Sequence, residues 1–133
     1  MTTAGAFATR PGIETGNVLP LLHEIRHALQ RLTEGREGAV IDLSSLPLAP
    51  GEETRIEEAL GVGEVSIEID ALGPSTIRES SYPGVWLVTH RNTEHEVVAR
   101  FIEIARIPQL VMAQADDIKA GLGELEEKLA AEP

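Results

Sequence analysis

The sequence predicts an α+β fold: an antiparallel sheet of four or five strands with N- and C-terminal helices packed against it. Three observations carry this. Apolar residues recur at helical spacing near both ends of the chain, and the period changes to two between Glu64 and Arg106. The connections inside that middle stretch are also too short for parallel crossovers, so its strands must run as an antiparallel meander.

In chain order, residues 1–12 are small, polar and aperiodic and end in Pro11-Gly12, which predicts a disordered tail ahead of one domain spanning 13–133. Asn17 can cap a first helix, and Pro20 is tolerated in its first turn because that N–H has no intrahelical partner. Val18, Leu22, Ile25, Leu29 and Leu32 form its apolar stripe, and Gly35 stops it. The run Ala39-Val40-Ile41-Asp42-Leu43 fits a short buried strand. Pro50-Gly51-Glu52-Glu53 then opens a shorter helix, with acidic residues at its positive dipole end, Ile56 and Leu60 facing inward and Gly61 at its close. This helix is expected to cover one flank of the sheet.

Val65, Ile67 and Ile69 alternate with Ser66, Glu68 and Asp70, the pattern of a strand with one wet face. Gly73-Pro74 reads as a turn. Thr76 to Tyr82, Val85 to Arg91 and Glu96 to Arg106 follow as strands, separated by Pro83-Gly84 and by a polar loop around Asn92-Thr93. Pro108 ends the last of them. Asp116-Asp117 begins a closing helix with a stripe of Ile118, Leu122, Leu125 and Leu129, weakened by Gly121 and Gly123 by about 1 kcal/mol each relative to Ala. Strand order does not follow from these patterns.

Composition narrows the function. A chain of 133 residues, 42% apolar, can bury roughly two-thirds of its unfolded surface around one core. Eleven Lys and Arg against 22 Asp and Glu give a net charge of −11, which repels nucleic acid and anionic membranes and would steer a partner with a positive patch inward. Acidity also serves solubility. The absence of cysteine removes disulfides, thiolate nucleophiles and thiolate ligands for iron–sulfur clusters or zinc, and it is compatible with a reducing cytoplasm. No stretch approaches the roughly 18 apolar residues of a membrane span, and the N-terminus has no signal-peptide pattern, so a soluble cytoplasmic protein is expected.

His23-Glu24-Ile25-Arg26-His27 matches H-E-x-x-H, in which two His one turn apart hold zinc and the Glu activates its water. On a helical wheel, however, both His lie opposite the apolar stripe and face solvent. Gln30 and Thr33 stand where the extended motif requires Gly and His, so no third ligand is marked. His90 and His95, on either side of a loop, would make at most a weak two-ligand site. The Ser44-Ser45 and Ser80-Ser81 pairs lack a His-acid pattern, and Gly61-Val62-Gly63 leads from helix to strand, the wrong order for a phosphate loop. No catalytic, cofactor or metal site is predicted, and the chain reads as a non-enzyme.

Five segments carry a resemblance. They are Ile41-Asp42-Leu43-Ser44-Ser45-Leu46-Pro47-Leu48, Gly63-Glu64-Val65-Ser66, Gly73-Pro74-Ser75-Thr76-Ile77-Arg78-Glu79, Tyr82-Pro83-Gly84-Val85-Trp86-Leu87-Val88-Thr89-His90 and Ala99-Arg100-Phe101-Ile102-Glu103-Ile104-Ala105-Arg106-Ile107-Pro108. Their identity and order resemble the C-terminal domain of the HupH/HyaF family of hydrogenase expression/formation proteins, over about residues 17 to 130. Family members are typically longer, with a further N-terminal domain. The resemblance implies an accessory chaperone in nickel–iron hydrogenase maturation that binds the immature, iron–sulfur-bearing small subunit. Its partners would be that precursor and other maturation proteins, with a homodimer among the assemblies allowed.

The candidate protein-binding residues are Glu79, Tyr82, Trp86, Arg100 and Glu103. A partly exposed lone Trp86 would anchor an interface, whereas a buried one would be core. Glu79, Arg100 and Glu103 are charges within strands, where they line either a wet sheet face or a recognition surface. The rivals are a zinc-dependent hydrolase built on His23, Glu24 and His27, and a stand-alone regulatory or scaffold interaction domain.

Overall fold

The apolar spacing that begins at Val18 is realised as α1 (Val18–Thr33) in a computed structural model that describes residues 16–132. The expected tail over residues 1–12 and the domain limits at 13 and 133 lie outside the described residues. Val18, Leu21, Ile25 and Ala28 are the buried residues of α1, while Leu22, Leu29 and Leu32 are only half-buried. The seam is therefore rotated from the expected stripe toward Leu21 and Ala28, a small residue that lets the helix approach its neighbours closely. Asn17 occupies the cap position, but its side-chain amide donates to the Pro47 carbonyl (3.0 Å) instead of capping the helix. Gly35, at φ +77°, lets the chain turn away where the helix stops.

Five strands follow: β1 (Ala39–Asp42), β2 (Ser66–Ala71), β3 (Gly73–Glu79), β4 (Val85–Arg91) and β5 (Val97–Ile104), with α2 (Glu52–Leu60) between the first two. Strands β2 to β5 form the expected meander, and β1 pairs antiparallel with β5, giving the order β1-β5-β4-β3-β2. The turn assigned to Gly73-Pro74 instead falls at Leu72, and β3 starts three residues earlier than expected. Gly73 makes this turn tight. Its φ is +104°, and a Cβ there would collide with the Arg91 carbonyl.

One sheet face presents Ala39 and Ile41 of β1, Val85 and Leu87 of β4, and Ile102 and Ile104 of β5 to α1 and α2, and this layer is the main core. The buried Glu52 carboxylate ties the helix starts together, accepting the backbone N–H groups of Ala49 (2.8 Å) and Asn17 (3.4 Å). On the other face Ile77, Trp86 and Val88 are buried, with Ile67, Ile69 and Phe101 packed beside them. The predicted wet side of β2, Ser66, Glu68 and Asp70, is exposed.

The helix foreseen after Asp116-Asp117 forms as α3 (Ala115–Ala131), preceded by a 3-10 turn at Gln109–Val111. Its expected packing against the sheet is not observed: Ile118, Leu122, Leu125 and Leu129 are between 55% and 64% exposed, and α3 has no buried residue. Occupancy explains the difference. Over β1, β4 and β5 the first sheet face is covered by α1 and α2, and on the second Ile77, Trp86 and Val88 are buried with no α3 residue packed against them. The α+β class and the five-stranded antiparallel sheet stand as the sequence predicts.

Candidate functional site

Cross-strand register places Glu79 of β3, Trp86 of β4 and Glu103 of β5 in one row on the second sheet face. Trp86 is only 7% exposed, and its indole N–H donates to the Ala105 carbonyl (2.9 Å), so of its two alternative roles it fills that of core. The two glutamates fasten backbone on either side of it. Glu79 accepts the N–H groups of Glu64 (3.1 Å) and Val65 (3.2 Å), pinning the entry to β2, and Glu103 accepts that of Gln109 (2.9 Å), folding the chain after β5 back across this face. Charged acceptors of backbone N–H groups are among the stronger hydrogen bonds, which accounts for carboxylates in strands.

Arg100 projects from the opposite face, where its Nη1 lies 3.2 Å from Glu53 and 2.7 Å from Glu57. Its Nε donates weakly to the Thr89 hydroxyl (3.5 Å). With its side chain 21% exposed, the guanidinium clamps α2 to the sheet. Four of the five candidates thus make intramolecular contacts that hold the fold.

Tyr82 differs. It is 47% exposed, in the turn between β3 and β4, and with Leu22, Ile25, Leu29, Ala59 and Leu60 it lines an apolar groove of about 250 Å³ between α1 and α2, edged by Arg26. A larger, more open depression of about 710 Å³ adjoins it at Leu29, bounded by Leu32, Pro83, Gly84 and Arg106. Leu22, Leu29 and Leu32 belong by spacing to the apolar stripe of α1. The same stripe carried their signal, but Leu21 and Ala28 took the buried seam and left these three on its shoulder.

His23 and His27 are exposed on α1, as the wheel indicates, and His27 Nε2 stands 3.2 Å from Arg26 Nη2. Among the described residues, no three His, Cys, Asp or Glu side chains are grouped so as to hold a metal ion. His90 Nδ1 is 2.7 Å from the Ser75 hydroxyl and its ring meets Phe101 edge-on, while His95 is exposed in the turn at φ +68°. No described helix is long and apolar enough to cross a membrane.

The class defined by this geometry is an α+β domain whose candidate site is an open apolar groove beside Tyr82, with Glu79, Arg100 and Glu103 engaged elsewhere in holding strands and helices together. Residues 15–131 match the profile of the HupH hydrogenase expression protein, C-terminal conserved region, and the chain belongs to this family, as the sequence resemblance implies. It is 34% identical over 107 residues to the hydrogenase expression/formation protein HoxQ of Azotobacter vinelandii (79% of this chain, 37% of that one). It is 27% identical over 103 residues to HupH of Rhizobium leguminosarum bv. viciae (77% and 36%). The chain therefore spans little more than a third of the length of these relatives. A solved structure of the hydrogenase expression protein HupH from Thiobacillus denitrificans superposes with a TM-score of 0.84 at 44% identity, covering 88% of this chain and 98% of that one.

Proposed function

We propose that this chain works in hydrogenase maturation as a non-catalytic cytoplasmic chaperone, holding the immature, iron–sulfur-bearing small subunit until its partner surfaces are covered. One observation carries the reading: the groove at Tyr82, Leu22 and Leu29 is apolar and open, on a chain that is otherwise strongly acidic. Unfinished subunits expose apolar surface that a partner later buries, and such surface needs an apolar counterpart. With no cysteine, the chain can contribute to cluster assembly through protein contact and not by carrying the cluster itself. Family membership supports the pathway. Other maturation proteins would join the complex through surfaces the groove leaves free.

Of the residues nominated from sequence, Tyr82 is the one we retain as an interface anchor, since aromatic residues in apolar depressions dominate binding energy. The test is co-purification with a tagged small-subunit precursor in cells that assemble the enzyme. Tyr82→Ala should weaken retention by about 2 kcal/mol, roughly 30-fold in affinity, with little change in urea midpoint. If the folded wild-type protein never retains the precursor, the chaperone reading is lost and the scaffold alternative takes its place.

A further inference from the structure

The helix layer is narrower than the sheet. The main core draws strand residues from β1, β4 and β5 alone, so toward β3 the helix-side face of the sheet is left open. There the alternating register sets Thr76 and Arg78 of β3 beside Thr89 and Leu87 of β4, and Thr89 beside Arg100 of β5. These residues, with Arg91 and Glu57, line a cavity of about 230 Å³ that shares no lining residue with the Tyr82 groove.

Three of the chain's 11 basic residues thus surround one cavity in a molecule of net charge −11. Arg100 is neutralised by Glu53 and Glu57. Arg78 and Arg91 are not: among the described residues neither has an ion-pair or side-chain hydrogen-bond partner. The other carboxylates on this stretch of the face are Glu68 and Asp70 of β2, across from Thr76 and Pro74 and exposed toward the sheet edge. Between the arginines stand two hydroxyls, and Thr89 is 6% exposed. Guanidinium groups flanking hydroxyl donors at a concave surface form a fork-like donor set that matches an oxyanion, and like charges gathered in a recess are relieved when an anion enters.

We propose that this cavity is an anion-binding site, taking the carboxylate or phosphate group of a small ligand between Arg78 and Arg91, with Thr76 and Thr89 donating to its oxygens. The proposal is independent of the chaperone reading, because it concerns other residues and needs no client.

Isothermal calorimetry at low ionic strength tests it, with inorganic phosphate and with succinate as separate probes. At least one should bind one-to-one with a Kd near or below about 1 mM, and the double variant Arg78→Gln, Arg91→Gln should bind it at least tenfold more weakly. Arg36→Gln, whose side chain is 64% exposed and paired with Glu34, serves as the control and should change nothing. Phosphate binding without succinate binding assigns a phosphate ligand, and the converse a carboxylate. A titration of the labelled wild-type protein followed by amide chemical shifts covers the case of a double variant that does not fold; the largest shifts should fall on residues 76–78 and 89–91. Absence of binding by either probe at about 10 mM, binding undiminished in the folded double variant, or shifts confined elsewhere would overturn the assignment.

Discussion

Helices α1 and α3 are 16 and 17 residues long and both carry an apolar stripe, yet one is seated in the core and the other has no buried residue. Periodicity states that a helix has a face to cover; it does not state what covers it. α1 lies against the sheet with α2 beside it, and Ala28 permits close approach. By the time α3 follows in the chain, β1, β4 and β5 are covered on the helix side and Ile77, Trp86 and Val88 are buried on the other. A lone 17-residue helix with two internal glycines is marginal in water, so α3 gains most from any partner that buries its stripe.

The sharpest test of this contrast is at the closed second face. Trp86→Ala should lower stability by about 3–5 kcal/mol, since it removes a large buried ring and orphans the Ala105 carbonyl. Urea melts read it directly, and a loss under about 1 kcal/mol would show that the indole is not core. Arg100→Met probes the seating of α2. Glu53 and Glu57 remain 42% and 38% exposed and can rehydrate, so the cost should be about 1 kcal/mol and should shrink in high salt. Leu125→Ala in α3 is expected to change stability by no more than about 0.5 kcal/mol, because a side chain 55% exposed loses little contact. A drop of about 2 kcal/mol in the last case, especially one that grows with protein concentration, would mean that α3 is covered in solution.

Glu24→Gln marks the lower end of the scale. This exposed carboxylate on α1 should contribute within about 0.5 kcal/mol, measured by the same melts, and a larger loss would place it in a contact absent from the structure.

Much of the element order was legible because it is written locally. Gly35, Gly61 and Pro83-Gly84 punctuate the chain where its geometry turns, and the two-residue alternation at Ile67 and Ile69 survives into β2. The place of β1 beside β5 was not legible, since it joins residues such as Ile41 and Ile102 through pairing that no local pattern encodes. The same holds for the site residues. Glu79 finds its partners 14 and 15 residues earlier in the chain and Arg100 finds its own on α2, so residue type announced a charge in a strand without announcing the contact that satisfies it. Tyr82, in the turn between β3 and β4, stays half-open at the side of the α1–α2 groove, a placement no local pattern encodes.

The strand order leaves β1 and β2 at the two margins of the sheet, and their character bears on self-assembly. An unpaired margin is a template on which another chain can add strand by strand into fibrous aggregate. β1 is four residues long, too short to template much, and β2 carries Glu68 and Asp70, which repel an approaching copy of the same acidic strand. A protein that keeps apolar surface open on α1 and α3 meets a constant hazard of polymerising through its backbone as well. Truncating one margin and charging the other confines its stickiness to side-chain surfaces, where contact is reversible.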